Sequence, residues 1–120
     1  MPTLLDTNAC LRALLDDIPE QASAARRAIE DGAFTYPEVI TECVYVLGGR
    51  FYNVPRAKVA EAISTLLDDV SCERGDIIRL ALSFYAGTQL DFVDCVLAAT
   101  HALQGCPVLT FDKRLARFMD

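Results

Sequence analysis

Short apolar segments alternate with longer amphipathic ones along almost the whole chain, and acids stand at the junctions. Thr3 to Leu5 reads as a short buried strand that Asp6 closes. Thr7 to Asp16 then reads as a helix with Cys10, Leu11, Leu14 and Leu15 on one face. Gln21 to Glu30 is Ala-rich and amphipathic, with Asp31-Gly32 as its stop. Ala33 to Tyr36 suits a second strand, and Pro37 fits the first turn of a helix running to Leu47 before Gly48-Gly49. Pro55 to Leu67 is a further amphipathic helix, and Val70 to Cys72 a brief strand. Asp76 to Tyr85 and Asp91 to Leu103 read as helices. Pro107 to Thr110 reads as the last strand, closed by Asp112, and Lys113 to Met119 as a terminal helix.

Strands that alternate with helices argue for a parallel sheet with helices on both faces. The expectation is an α/β fold in one domain, residues 1–120, with a short central parallel sheet of four strands, or five. No linker, repeat or low-complexity tract divides the chain. In such sheets ligands sit beyond the carboxyl ends of the strands. Asp6 and Asp112 follow their strands directly, so both occupy that position.

Two further acids complete the pattern. Glu42 lies on the run Pro37 to Val44, and Asp94 opens the run Asp94 to Ala99. If the fold gathers Asp6, Glu42, Asp94 and Asp112, the carboxylates repel. A pair about 5 Å apart costs roughly 3 kcal/mol at an effective dielectric near 20. Such a group needs a cation or shared protons, and hard oxygen ligands point to Mg²⁺ or Mn²⁺. Each acid also has a plainer reading. Asp6 and Asp112 suit the N-cap of the helix that follows. Asp91 and Asp94 are spaced as N-cap and N3 of a capping box. Glu42 could be a solvent-facing helix acid.

Bulk properties narrow the classes. Hydrophobic residues make up 52% of the chain, which suggests a dense core, an apolar partner surface, or both. No apolar run approaches a membrane span, and the N-terminus has no basic region of a signal peptide. Both point to a cytoplasmic protein. The net charge of −6 weighs against a broad, sequence-independent grip on nucleic acid. The five cysteines, Cys10, Cys43, Cys72, Cys95 and Cys106, include no C-x-x-C. They read as small core residues of a reducing compartment, not as staples or zinc ligands. His101, the only histidine, lies among Ala and Leu. Histidine-based acid–base catalysis usually needs more than one such group.

The motifs Leu5-Asp6-Thr7-Asn8, Glu42 after the second strand, Asp91-Phe92-Val93-Asp94-Cys95-Val96-Leu97-Ala98-Ala99 and Leu109-Thr110-Phe111-Asp112-Lys113 resemble the PIN domain. Within it they resemble the VapC-like toxins of bacterial toxin–antitoxin pairs. The resemblance spans essentially the whole chain. It implies a PIN-like three-layer fold and a metal-dependent endoribonuclease. Asp6, Glu42, Asp94 and Asp112 would hold Mg²⁺ or Mn²⁺ and serve catalysis. The ion would activate water and hold a phosphate oxygen during attack on the phosphodiester. Many members continue beyond this chain's last residue into a fifth strand.

Asp91, Thr7, Asn8 and Thr110 would support the site. Asn8 would orient a carboxylate, and Thr110 would hold a water or phosphate oxygen. Arg12, Lys113 and Arg114, with Arg117, could form a rim for RNA phosphates. Arg50, Arg56 and Lys58 flank Phe51-Tyr52 and could add base stacking. The partners implied are an RNA substrate, a cognate antitoxin and a second copy in a homodimer. Val39 to Leu47 and Pro55 to Leu67 could pack on an antitoxin's amphipathic segment. Two other classes compete. One is a PIN-like RNA- or protein-binding module without catalysis. The other is a haloacid-dehalogenase-like phosphatase, although that family usually has Asp-x-Asp where this chain has Asp6-Thr7-Asn8.

Overall fold

Thr3–Leu4 (β1), Ala33–Thr35 (β2) and Val70–Cys72 (β3) form one parallel sheet in the order β1-β2-β3. The computed structural model describes all residues 1–120. Thr3 pairs with Ala33 and Leu4 with Phe34. Ala33 pairs with Val70, Phe34 with Ser71 and Thr35 with Cys72. Parallel strands need crossover connections. Thr7–Leu15 (α1) and Pro19–Glu30 (α2) link β1 to β2, and Pro37–Gly48 (α3) and Arg56–Asp69 (α4) link β2 to β3. Gly75–Gly87 (α5), Phe92–Gln104 (α6) and Lys113–Met119 (α7) follow.

The sheet has three strands, which corrects the expectation of four or five. Pro107 to Thr110 forms no ladder with any strand. Pro107 brings no backbone N–H to a ladder, and the alternate face of the segment, Val108 and Thr110, is only half-buried. Leu109 is 86% exposed and Phe111 92%. A segment that pays backbone entropy to extend, yet buries no side chain fully, gains little by pairing. β1 and β3 are therefore the two edges.

Helix boundaries follow local chemistry. Pro37 stands in the first turn of α3, where its missing N–H costs nothing. α6 stops at Gly105, which takes φ +71°. Glycine reaches that left-handed conformation without steric cost, and its N–H bonds the His101 carbonyl at 2.9 Å. His101 Nδ1 lies 2.8 Å from the Cys106 carbonyl oxygen. A carbonyl only accepts, so Nδ1 carries the proton and the ring latches the helix end.

One core joins the elements. Ile40, Cys43 and Val44 from α3, Val59 and Ile63 from α4, Ile77, Ile78 and Leu82 from α5, and Phe92 and Cys95 from α6 meet there. The one buried polar side chain in the core, Thr35, is 0% exposed. Its hydroxyl donates to the Leu5 carbonyl at 2.9 Å. That bond satisfies a buried group and fixes the end of β1, and hence Asp6, against β2. No helix is long and apolar enough to cross a membrane.

Arg56 closes the α4–α5 side of the molecule. Its Nε donates to the Tyr85 carbonyl at 2.8 Å, its Nη2 to the Leu90 carbonyl, and its guanidinium stacks 3.6 Å from the Tyr85 ring centroid. The expectation that Arg56 serves nucleobase stacking gives way here. Its Nε, its Nη2 and its guanidinium face are engaged inside the fold.

Candidate functional site

Asp6 is the N-cap of α1, and its Oδ1 accepts from the Ala9 N–H at 2.8 Å. With Thr7, Asn8, Arg12, Glu42 and Tyr52 it lines a depression of about 480 Å³. Asp94 and Asp112 do not line it. They stand with Asp91 in a second acidic neighbourhood. Burial, then the charges of Asp91 and Asp112, push the Asp94 carboxyl above its usual range. Asp112 is the N-cap of α7 and accepts from the N–H groups of Arg114 and Leu115, at 2.9 and 3.0 Å.

Asp91 occupies the N-cap position of α6, but its side chain makes no cap hydrogen bond. Its Oδ2 accepts instead from the Tyr45 hydroxyl at 2.7 Å. Tyr45 is the residue that sequence reasoning passed over. It lies one turn beyond Glu42 on α3, so its reach toward the acidic neighbourhood was available from helical spacing alone. Burial, followed by Asp91, pushes its phenol up to about 12.

The metal reading fails on this geometry. Nowhere do three or more His, Cys, Asp or Glu side chains stand together so as to hold one ion. The acids are divided between two neighbourhoods, and Asp6 and Asp112 spend oxygen atoms on their own helix N-termini. The unpaired Pro107–Thr110 segment explains part of this division. Without a fourth strand, Asp112 is not held to the sheet end that carries Asp6. The expected Mg²⁺ or Mn²⁺ cofactor, the metal-dependent ribonuclease and the hydrolase class are therefore corrected: the residues present do not fit the ion.

The supporting residues fall into local roles. Thr110 Oγ1 accepts from the Asp112 N–H at 3.0 Å, a turn bond. Asn8 and Thr7 line the first depression. Arg12 is only 12% exposed along its side chain and pairs with Asp17 at 3.0 Å. Its buried Nε has no partner. Lys113, Arg114 and Arg117 stand exposed on α7.

The largest concavity lies elsewhere. A groove of about 710 Å³ runs between α1, α2 and α4. Leu14, Leu15, Ile29, Val54, Ala62 and Leu66 form its apolar wall, and Arg26, Glu30, Lys58, Glu61 and Asp69 its rim. Most of that apolar wall is only half-buried.

No curated protein and no solved structure matches the chain. The PIN domain model matches residues 3–119, nearly the whole chain, and the protein therefore belongs to the PIN domain family.

Proposed function

We propose that this chain is a PIN-fold protein-binding module. It docks an amphipathic helical segment of a second protein in the groove between α1, α2 and α4, and it does so without metal chemistry. The groove carries this reading. It is the largest concavity, its wall is apolar, and its side chains remain half-exposed in the single chain. Apolar surface removed from water is worth about 25 cal/mol per Å², and helix-in-groove docking uses that term.

The rim defines the partner's charge. Lys58 pairs with Glu61 at 3.8 Å and Arg26 with Asp16 at 2.6 Å. Glu30 and Asp69 belong to no ion pair. The occupant's apolar stripe is therefore flanked by Lys or Arg. The net charge of −6 favours such a partner over RNA, whose phosphates it repels. The resemblance to VapC-like toxins supports an antitoxin encoded beside this chain as that partner.

The test is co-expression with the product of the adjacent gene, followed by native mass spectrometry in EDTA. A complex that survives EDTA and is lost in Ala62→Arg, with helical circular dichroism unchanged, supports the module. No complex, a complex that needs metal, or one indifferent to Ala62→Arg refutes it.

A further inference from the structure

Arg114, Arg117 and Phe118 are spaced three and four apart on α7, so they share one face of that helix. Asp112 caps the helix, and Leu115, 1% exposed, anchors it in the interior. The shared face meets the turn between α5 and α6. There Thr88, Gln89 and Leu90 complete a concavity of about 360 Å³ with the two arginines and Phe118. No Asp or Glu lines it.

That composition stands out in a chain of net charge −6. Arg12, Arg26, Lys58 and Arg79 each have an acidic partner, whereas Arg114 and Arg117 belong to no ion pair. Two like charges in one concavity repel each other, and an anion between them reverses the sign of that interaction. A guanidinium fork bonds an oxyanion at two points. A phosphate monoester carries about −1.5 to −2 at pH 7 and three acceptor oxygens, so it can engage both forks. A carboxylate carries one charge and two oxygens, which a single fork already satisfies.

A second concavity adjoins the first, because Phe118 lines both. It measures about 440 Å³, and its wall includes Phe84, Ala98, Met119 and His101. Phe84 meets Phe118 edge to face, with centroids 4.9 Å apart and planes at 81°, which fixes the Phe118 ring. His101 Nδ1 donates to the Cys106 carbonyl, so Nε2 is left as an acceptor. One concavity is therefore cationic, and its neighbour is aromatic and apolar with a single acceptor. Both volumes lie in the range of small-ligand sites, about 300–1,000 Å³.

We propose that these joined concavities bind a phosphate monoester with a flat aromatic body that carries an N–H donor, the chemistry of a nucleoside monophosphate. Arg114 and Arg117 hold the phosphate. The aromatic body lies against Phe118 and donates to His101 Nε2. A small molecule is favoured over a nucleic-acid strand, because each further phosphate of a strand meets a protein of net charge −6. The site lies on α5, α6 and α7, away from the groove between α1, α2 and α4, so each stands or falls without the other.

The experiment titrates the nitrogen-15-labelled full chain with adenosine 5′-monophosphate at constant ionic strength and follows the amide spectrum. Adenosine, inorganic phosphate and a single-stranded RNA oligomer are titrated in parallel. Shifts are expected at residues 88–90, 98–105 and 114–118, with a Kd for the monophosphate at least about tenfold below those of adenosine and phosphate. Arg114→Gln and Arg117→Gln should each raise that Kd at least about tenfold. Lys113 lines neither concavity, so Lys113→Gln, which removes the same charge from the same helix, should leave it within about twofold. The spectra also show whether each variant is folded. Should one not be, Arg117→Lys, which keeps the charge and loses the fork, takes its place. Absence of these shifts overturns the proposal, as does equal weakening by Lys113→Gln. Phosphate or adenosine alone binding as tightly as the monophosphate overturns it too. An RNA oligomer that binds more tightly overturns it in favour of a nucleic-acid strand.

Discussion

The Tyr45 hydroxyl donates to Asp91 Oδ2 at 2.7 Å, tying the middle of α3 to the first residue before α6. The bond links residues 46 positions apart in sequence. It also occupies an acid whose spacing suited a helix cap. A capping oxygen that turns toward a phenol caps no N–H of α6.

Tyr45→Phe removes this bond without changing the ring. Both groups are exposed, so the loss is about 0.5–1 kcal/mol, read as a fall of about 3 °C in Tm. The pH dependence has a definite sign. Burial and Asp91 push the folded phenol up to about 12, above the usual tyrosine value near 10. Its contribution is full below pH 10 and disappears as pH rises through about 12. Alkaline denaturation of the two proteins therefore converges near pH 12. Curves that stay parallel there exclude the bond.

Asp6 distinguishes capping from ligation. Its carboxylate accepts the Ala9 N–H, and Asn caps helices as well as Asp does. Asp6→Asn should therefore melt within about 0.5 kcal/mol of the parent, while Asp6→Ala loses about 1 kcal/mol. Urea denaturation of both variants measures the difference. Equal destabilisation by Asn and Ala contradicts the cap.

Asp94 reports on the acidic neighbourhood. Its folded carboxyl is raised by burial, Asp91 and Asp112. A raised carboxyl stabilises the fold below its unfolded pKa, and that contribution is lost as pH rises through the folded value. At neutral pH the charged group is therefore a net burden, and Asp94→Asn raises Tm. Millimolar Mg²⁺ or Mn²⁺ leaves the Tm of either protein unchanged, because no three acids converge on one ion. A metal-dependent rise in the parent that Asp94→Asn abolishes contradicts this, since a ligand that binds the native state stabilises it.

How far the sequence carries can be judged element by element. Val70–Cys72 and Lys113–Met119 lie where apolar patterning and capping residues place them. Pro37 and Gly105 mark helix ends through backbone chemistry that needs no tertiary context. Pro107 to Thr110 looks like a strand by composition, yet forms none. Whether such a run pairs depends on burial against a neighbour, which local pattern does not encode. The acids show the same divide. Their order along the chain is visible, and the family with it, but their convergence depends on how loops and strand ends sit in space. Arg56 is the third instance. A basic residue beside aromatics looks like a nucleic-acid contact, and the structure points it at two carbonyls and a ring.

Arg56 supports the last prediction. Its planar fork bonds the Tyr85 and Leu90 carbonyls at once while stacking on the Tyr85 ring. Lysine keeps the charge but offers a point cation on a flexible stem, so it cannot satisfy two carbonyls and the ring together. Leu90 and Tyr85 are both buried, and a buried carbonyl left without a donor costs about 1–3 kcal/mol. Arg56→Lys should therefore destabilise by about 2 kcal/mol in urea. Hydrogen exchange should rise first at the α5–α6 junction, between Gly87 and Phe92, because that turn loses its tether. Groove binding, on the α1, α2 and α4 side, should persist in the folded fraction. A variant as stable as the parent would show that the stack and the two hydrogen bonds contribute nothing net.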